Sequence, residues 1–312
     1  MATETSRVSA AQPGRLAIWF RAVRPRSFTA SVIPIALGSA LALFDREFTW
    51  WLALVMLLAT VATHAGSNLA NDYYDHLKGV DTAETFGQTR LIQEGLLRPR
   101  QVIIAAGIAF AIATLLGLIV VAQTGWPILL LALVSLAAAY FYTGGPLPLG
   151  YIALGEVTVF TFMGLVTVMG SYYVLTGEIT WRSALVAAPI GFLTAAHLHA
   201  NNLRDIPLDR VAGKMTLATL LGRRGGNWEY LFLLTAAYAA VLALAVVDPA
   251  LWPVTITGAA IPVAYRLVRL AFSPAEGRDL NPLLRRTAGL HLRFGSLMLV
   301  GLLLATVIER IT

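Results

Sequence analysis

Nine apolar runs divide this 312-residue chain, each close to the length a helix needs to cross a bilayer. A spanning helix takes roughly 17 to 25 residues, and hydrocarbon offers the backbone no partners beyond its own hydrogen bonds. The runs fall at 28–44, 50–72, 101–122, 126–142, 152–175, 183–204, 230–247, 251–271 and 291–309. With 57% hydrophobic residues, 13% charged residues and a mean hydropathy of +0.71, the chain is too apolar for a soluble domain. It reads as an all-α integral membrane protein in which residues 1–27 are a tail and residues 28–312 a single transmembrane domain.

The basic residues test that division. Twenty of the 23 lysines and arginines lie in the tail, in the second connection (with Lys78 and Arg90), in the sixth (with Arg204, Arg210 and Lys214) and in the eighth, all on one side of nine spans. By the positive-inside rule the N-terminus is cytoplasmic, and an odd number of spans puts the C-terminus outside the cell membrane. The pI near 9.8 then reflects topology, and no nucleic-acid partner is expected. The opening MATETSRVSAAQPGRLAIWF lacks the order of a cleavable signal peptide, so the first helix is expected to be retained. The absence of cysteine removes disulfides, thiolate nucleophiles and cysteine-ligated metals.

Against this apolar background, HAGSNLANDYYDHLKGVD (64–81) is out of place, because a lone carboxylate at membrane depth costs about 2.5 to 3.5 kcal/mol on insertion scales. It has a counterpart in HLHANNLRDIPLDRVAGK (197–214). His64, Asn68 and Asp72 recur as His197, Asn201 and Asp205, each displaced by 133 residues, so H-x-x-x-N-x-x-x-D appears twice and the chain reads as two pseudo-repeated halves. Each copy adds a further aspartate, Asp75 or Asp209, and a lysine. Five of the eight aspartates, both lysines and four of the six asparagines fall in these two stretches, a concentration that ordinary capped helix ends do not explain. Spacing of four stacks side chains along one helix wall.

Asp72 and Asp205 each lie about 33 Å along their helices, which places them at the cytoplasmic mouth. Transporter ion sites usually lie near the midplane, so depth argues against a cation carrier, the reading from another functional class. Facing carboxylates repel unless cations bridge them, and an oxygen-only donor set suits Mg²⁺, which is typically held by carboxylates and substrate phosphates. Lys78, Lys214, Arg204 and Arg210 beside them would neutralise phosphate oxygens. The expected ligand is a diphosphate carrying a long hydrocarbon into the apolar bundle.

NDYYDHLKGVD and NNLRDIPLDRVAGKMTLATLLG resemble the two aspartate-rich motifs of the UbiA-type intramembrane prenyltransferases. Further stretches, VRPRSFTASVIPIALGSAL, YTGGPLPLGYIALGE and LNPLLRRTAGLHLRFGSLMLVGLLL, are similar to the branch that prenylates 1,4-dihydroxy-2-naphthoate in menaquinone synthesis. The resemblance implies nine helices around a central cavity, with Asn68, Asp72, Asp75, Asp205 and Asp209 holding Mg²⁺ on a polyprenyl diphosphate and Asn201 as their repeat-related neighbour. It implies Arg24, Lys78, Arg90 and Lys214 as diphosphate or carboxylate partners, with Arg204 and Arg210 behind them. Tyr142 would line the cavity where an allylic cation forms, since an electron-rich ring face favours a cation. Other acceptors of the same fold, 4-hydroxybenzoate, homogentisate or haem, stay open.

The chain departs from the general N-D-x-x-D-x-x-x-D spacing, because Asp81 follows Asp75 by six positions. Pro207 between Asp205 and Asp209 is expected to end or kink its helix near Leu203–Ile206. His64, His197 and His199 are expected as hydrogen-bonded packing residues, Glu156 and Glu178 as polar helix or loop positions, with a substrate-orienting role open for Glu156, and Trp50, Trp51, Trp126, Trp181 and Trp252 as interfacial anchors.

Overall fold

The computed structural model describes residues 14–77, 91–146 and 148–312, so Lys78, Asp81 and Arg90 lie outside the described residues. A short helix α1 (Arg15–Val23) precedes the apolar helices α2 (Thr29–Phe44), α3 (Trp50–Leu77), α4 (Pro99–Thr124), α5 (Trp126–Phe141), α6 (Gly155–Thr176), α7 (Trp181–Val211), α8 (Leu217–Val247), α9 (Pro249–Ala271) and α10 (Asn281–Ile311). Seven of these are long and apolar enough to cross a membrane; α2 and α5 are shorter apolar helices. Together they reproduce the nine sequence runs, and this is a multi-pass membrane protein.

The boundaries move where polar residues continue an apolar helix. α3 runs on to Leu77, α8 begins at Leu217 and α10 at Asn281, because capping and packing sustain turns that hydropathy does not mark. Thr216 caps α8 by accepting from the Thr219 amide at 3.2 Å. Gly222 then kinks that helix with φ 65°, a conformation an L side chain resists. The expected break at Pro207 is absent: α7 runs unbroken to Val211. The residues beyond the proline are tied down, the Ala212 amide to Leu208 O at 2.9 Å and the Lys214 amide to Asp209 O at 2.8 Å. Those bonds hold the last turn in helical form despite the missing N–H.

The two halves pack differently. α7 is the hub, pressed between α8, α6 and α10, with Ile190, Leu193, Tyr230 and Phe294 fully buried around it. Glycines permit the closest crossings: a Cβ on Gly164 would collide with the backbone of Gly191, and one on Gly301 would stand 2.6 Å from Val254 Cα. α4 and α5 instead leave Ile108, Leu115, Leu130 and Leu133 exposed, as lipid-facing helices do. α1 belongs to the structure although it falls in the segment read as a tail, since Ile18 and Ala22 pack with Leu69 and Val102.

Trp50, Trp126, Trp181 and Trp252 are exposed near the starts of α3, α5, α7 and α9, at one end of the bundle. At that end Arg182 bonds Asp45 at 2.8 Å and Asp248 at 2.6 Å, clamping three connections together. The aspartate motifs occupy the opposite end.

Candidate active site

A cavity of about 570 Å³ opens between the halves, walled by α2, α3, α4, α5, α6 and α7. Its inner part is apolar, with Met56, Leu118, Leu129, Leu136, Phe162 and Met163 on its lining. Part of the α6 wall is π-helical (Phe160–Val166), a local widening of the helix that recurs at functional sites. The mouth is polar and carries both motifs.

Toward the mouth the α3 lining residues are His64, Ser67, Asn68, Asn71 and Asp75; Asp72 is buried beside the cavity and is not on its lining. The reason is helical geometry. At 3.6 residues per turn, positions 64, 68, 71 and 75 stay within an arc of about 60°, whereas three residues spaced strictly by four drift by about 80°. The H-x-x-x-N-x-x-x-D reading therefore carried Asp72 off the face and missed Asn71. That residue could have been found from the i, i+3, i+4 rhythm. Its Oδ1 is buried with no hydrogen-bond partner among the described residues.

Asp72 instead pairs with the guanidinium of Arg24. Arg24 sits at φ 56°, a left-handed conformation uncommon for a side-chain-bearing residue, at the turn between α1 and the following helical turn. That turn is fixed by a chain of hydrogen bonds. The Ser27 hydroxyl donates to Arg24 O at 2.8 Å, and the Asn68 amide donates to Ser27 Oγ and Val23 O, both at 3.1 Å. His64 joins Ser27 Oγ at 3.1 Å through Nε2 and Ser31 Oγ at 2.7 Å through Nδ1. With the Ser27 proton committed to a carbonyl, Nε2 donates to Ser27, and with Nδ1 engaged by Ser31 the ring is a hydrogen-bonded strut, as expected of a packing histidine.

On α7 the motif folds in on itself. Arg204 is buried and donates to both oxygens of Asp205 at 2.7 Å, to Asn201 Oδ1 at 2.9 Å and to Asn281 Oδ1 at 3.1 Å. The Asn201 amide donates to Asp205 Oδ2 at 3.2 Å. Arg204 is thus an internal tie for α7 and α10, with its donors engaged by the protein. Arg210 is exposed and is not on the lining. His199, behind the wall, donates from Nε2 to Gly226 O at 2.8 Å and sets Nδ1 3.1 Å from Glu156 and 3.4 Å from Glu229, joining α6, α7 and α8. Asn202 completes that cluster with a bond to Glu156 at 2.9 Å.

Asp209, Lys214 and Tyr142 all reach the lining. Lys214 lies in the connection after α7, 3.6 Å from Asp209. Burial pushes its ammonium pKa down, but the carboxylates of Asp209, Asp75 and Asp205 outweigh this, and the net direction is upward. The connection is held by residues 149–153: the Met215 amide donates to Tyr151 O at 3.1 Å and the Ala153 amide to Met215 O at 2.7 Å. This strap brings the Tyr151 hydroxyl onto Asp75 and its ring to 5.2 Å from Lys214 Nζ. The sequence marks Tyr151 only through its stretch YTGGPLPLGYIALGE and not as an individual residue. Tyr151 links the two motifs, which lie on different helices.

The mouth offers oxygen ligands to a divalent cation, while the tight carboxylate–histidine grouping among the described residues, Glu156, His199 and Glu229, lies behind the wall. Among the described residues Asn71 Oδ1 and Asp209 Oδ2 are buried without hydrogen-bond partners, Asp75 and Asp205 line the same space, and the chain has no cysteine. This donor set suits Mg²⁺. Below it lies an apolar chamber of the kind a hydrocarbon chain would fill.

Residues 31–280 match the model of the UbiA prenyltransferase family. A 1,4-dihydroxy-2-naphthoate octaprenyltransferase of Mycobacterium tuberculosis is 36% identical over 285 residues, covering 91% of this chain and 96% of that protein. The enzyme of the same description from Bacillus subtilis is 34% identical over 300 residues, covering 92% and 93%. The structure of a UbiA homolog from Archaeoglobus fulgidus bound to DMAPP and Mg²⁺ superposes with a TM-score of 0.64 at 14% identity, covering 90% of this chain and 98% of that one.

Proposed function

This chain belongs to the UbiA prenyltransferase family, and from that premise we propose that it transfers a polyprenyl chain from polyprenyl diphosphate to 1,4-dihydroxy-2-naphthoate with loss of carbon dioxide, giving diphosphate and demethylmenaquinol, the reduced form of demethylmenaquinone. The observation that carries the reading is the cavity itself, an apolar chamber whose one polar end gathers Asn71, Asp75, Asp205, Asp209 and Lys214. The names of the relatives at 34% and 36% identity over more than nine-tenths of the chain support the naphthoate acceptor.

In this reading Asp75, Asp205 and Asp209, with Asn71, hold Mg²⁺, and Asn68 and Asn201 flank them. When bound, the ion supplies positive charge to the departing diphosphate. Lys214, kept protonated by its carboxylate neighbours, faces the same oxygens. Arg24, pinned by Asp72, guards the rim, and Lys78 and Arg90 are further diphosphate partners. Arg204 and Asp72 act through the residues they hold. Tyr142 turns an electron-rich ring toward the reacting carbon of the prenyl chain, and the apolar lining keeps water from it. The motif end is assigned to the cytoplasm, the C-terminus to the outside of the cell membrane, and residues 28–312 to one transmembrane domain preceded by the tail.

The test uses naphthoate labelled at its carboxyl carbon. Membranes carrying the protein, given Mg²⁺ and a polyprenyl diphosphate, should prenylate it far better than 4-hydroxybenzoate and release one labelled carbon dioxide per product. Preference for the smaller acceptor, or product that keeps the label, defeats the assignment.

A further inference from the structure

We propose that His197 holds a hydroxyl of the aromatic acceptor and takes up its proton during transfer, an assignment that rests on the acceptor reading above and extends it to a residue. The repeat supplies the comparison. His64 and His197 occupy equivalent positions, and both line the cavity. The ring of His64 is occupied at both nitrogens, by Ser27 and Ser31. The ring of His197 has no hydrogen-bond partner among the described residues, and its nitrogens stay open to the cavity.

The surrounding polar groups on the same wall are engaged. Thr194 donates to Ile190 O at 2.8 Å and meets His291 at 3.2 Å, while Asn201 and Arg204 are bound to Asp205 and each other. His197 is therefore the group on this stretch of α7 left to meet a ligand. It lies one helical turn inward from Asn201 and two from Asp205, about 6 and 12 Å along the axis. A diphosphate held at the carboxylates puts the first carbon of the prenyl chain just inward of them, so a ring attacking that carbon sits beside His197.

A neutral imidazole offers one donor and one acceptor, which matches a hydroxyl of an electron-rich arene. As the ring carbon bonds to the prenyl carbon, the bond from that carbon to the diphosphate oxygen breaks and the diphosphate leaves with the electron pair. The phenolic proton passes to His197. When the carboxyl group departs as carbon dioxide, its electron pair stays with the ring, and the proton returns from the imidazolium. No net proton is lost, and His197 ends as it began.

The experiment compares wild type, His197→Ala, His197→Gln and His64→Ala in nanodiscs with Mg²⁺ and polyprenyl diphosphate. Dihydroxynaphthoate, 4-hydroxybenzoate and homogentisate are offered separately. Which acceptor the wild type prefers judges the acceptor reading, and the variants are then compared on that preferred acceptor, so the two failures are distinguishable. His197→Ala should raise the acceptor KM about tenfold or more while the prenyl diphosphate KM stays within about twofold. His197→Gln, which can hydrogen-bond but cannot carry the proton, should keep the acceptor KM within about threefold and lose at least about tenfold in kcat. His64→Ala should shift the prenyl diphosphate KM instead, through Arg24. Acceptor KM and kcat unchanged in His197→Ala, or equal shifts in both KM values, overturn the proposal. If His197→Ala does not fold, an unchanged kcat in His197→Gln overturns it alone.

Discussion

In α3 the histidine and asparagine of the motif bond outward to the Ser27 turn, and its first aspartate is held by Arg24. In α7 the asparagine, arginine and aspartate bond to one another, and the histidine is left facing the cavity. The difference follows from where each helix sits. α3 packs on α2 and α4 but contributes no residue to the dense core around α7, so its polar residues recruit the N-terminal turn for support. α7 is buried on several sides, where a charge without a partner is expensive, so it carries its own guanidinium. The same local spacing therefore yields a wall tied to the N-terminal turn on one side and a wall tied to itself on the other, bridged by Tyr151 and Lys214.

The largest effect expected at this bridge is that of the ion. Chelation of Mg²⁺ should bring transfer to background, and adding it back should restore the rate, with the circular dichroism spectrum unchanged throughout. Full activity in chelator would remove the cation from both walls at once.

Next come the carboxylates. Asp75→Ala and Asp209→Ala should each lower kcat/KM by at least about 100-fold in protein that still elutes as a folded species. Asp72→Ala should act through Arg24, raising the prenyl diphosphate KM more than it lowers kcat. If Asp72→Ala is the variant that loses kcat, while Asp75→Ala retains it, the assignment of the α3 cavity face is wrong.

The two arginines sharpen the contrast between the walls. Arg204→Met removes a buried guanidinium from half-buried Asp205 and should cost about 3 kcal/mol of stability, read as a fall in melting temperature. Lysine should rescue it poorly, since it lacks the fork that reaches both Asp205 oxygens and two asparagines. Arg24→Met takes the guanidinium from buried Asp72 but at a half-buried rim, so it should lower the melting temperature by less than Arg204→Met and be felt chiefly in diphosphate binding. Equal melting shifts for the two would erase the distinction.

Tyr151→Phe is the mildest. It removes one hydroxyl from Asp75 and keeps the ring against Lys214, so stability should change by about 1 kcal/mol or less, with a loss of activity near tenfold. An unaltered rate would show that the strap positions the connection through its backbone bonds only.

Much of this was legible without coordinates. Nine apolar runs, the charge asymmetry and the doubled polar motif follow from periodicity and from the cost of placing charge in lipid, which act on local sequence. Asp75, Asp205, Asp209, Lys214 and Tyr142 were chosen from the sequence and all line the cavity. What the tertiary structure decided was which way each neighbour turned. Asn71 rather than Asp72 faces the cavity because a helix advances 100° per residue, a phase that a spacing rule blurs. Pro207 leaves α7 intact because the following connection is tied down by Asp209 and by the strap at Tyr151, whose backbone meets Met215 from another part of the chain. Arg204 and Arg210 look alike in sequence, and only packing makes one a buried tie and the other an exposed charge. His64 and His197 are identical in motif, and their separation into strut and open ring depends on Ser27 and Ser31, which α2 and the turn before it deliver from more than thirty residues away. Local sequence sets the period and the charge, whereas the partner of a side chain is set by what the fold brings beside it.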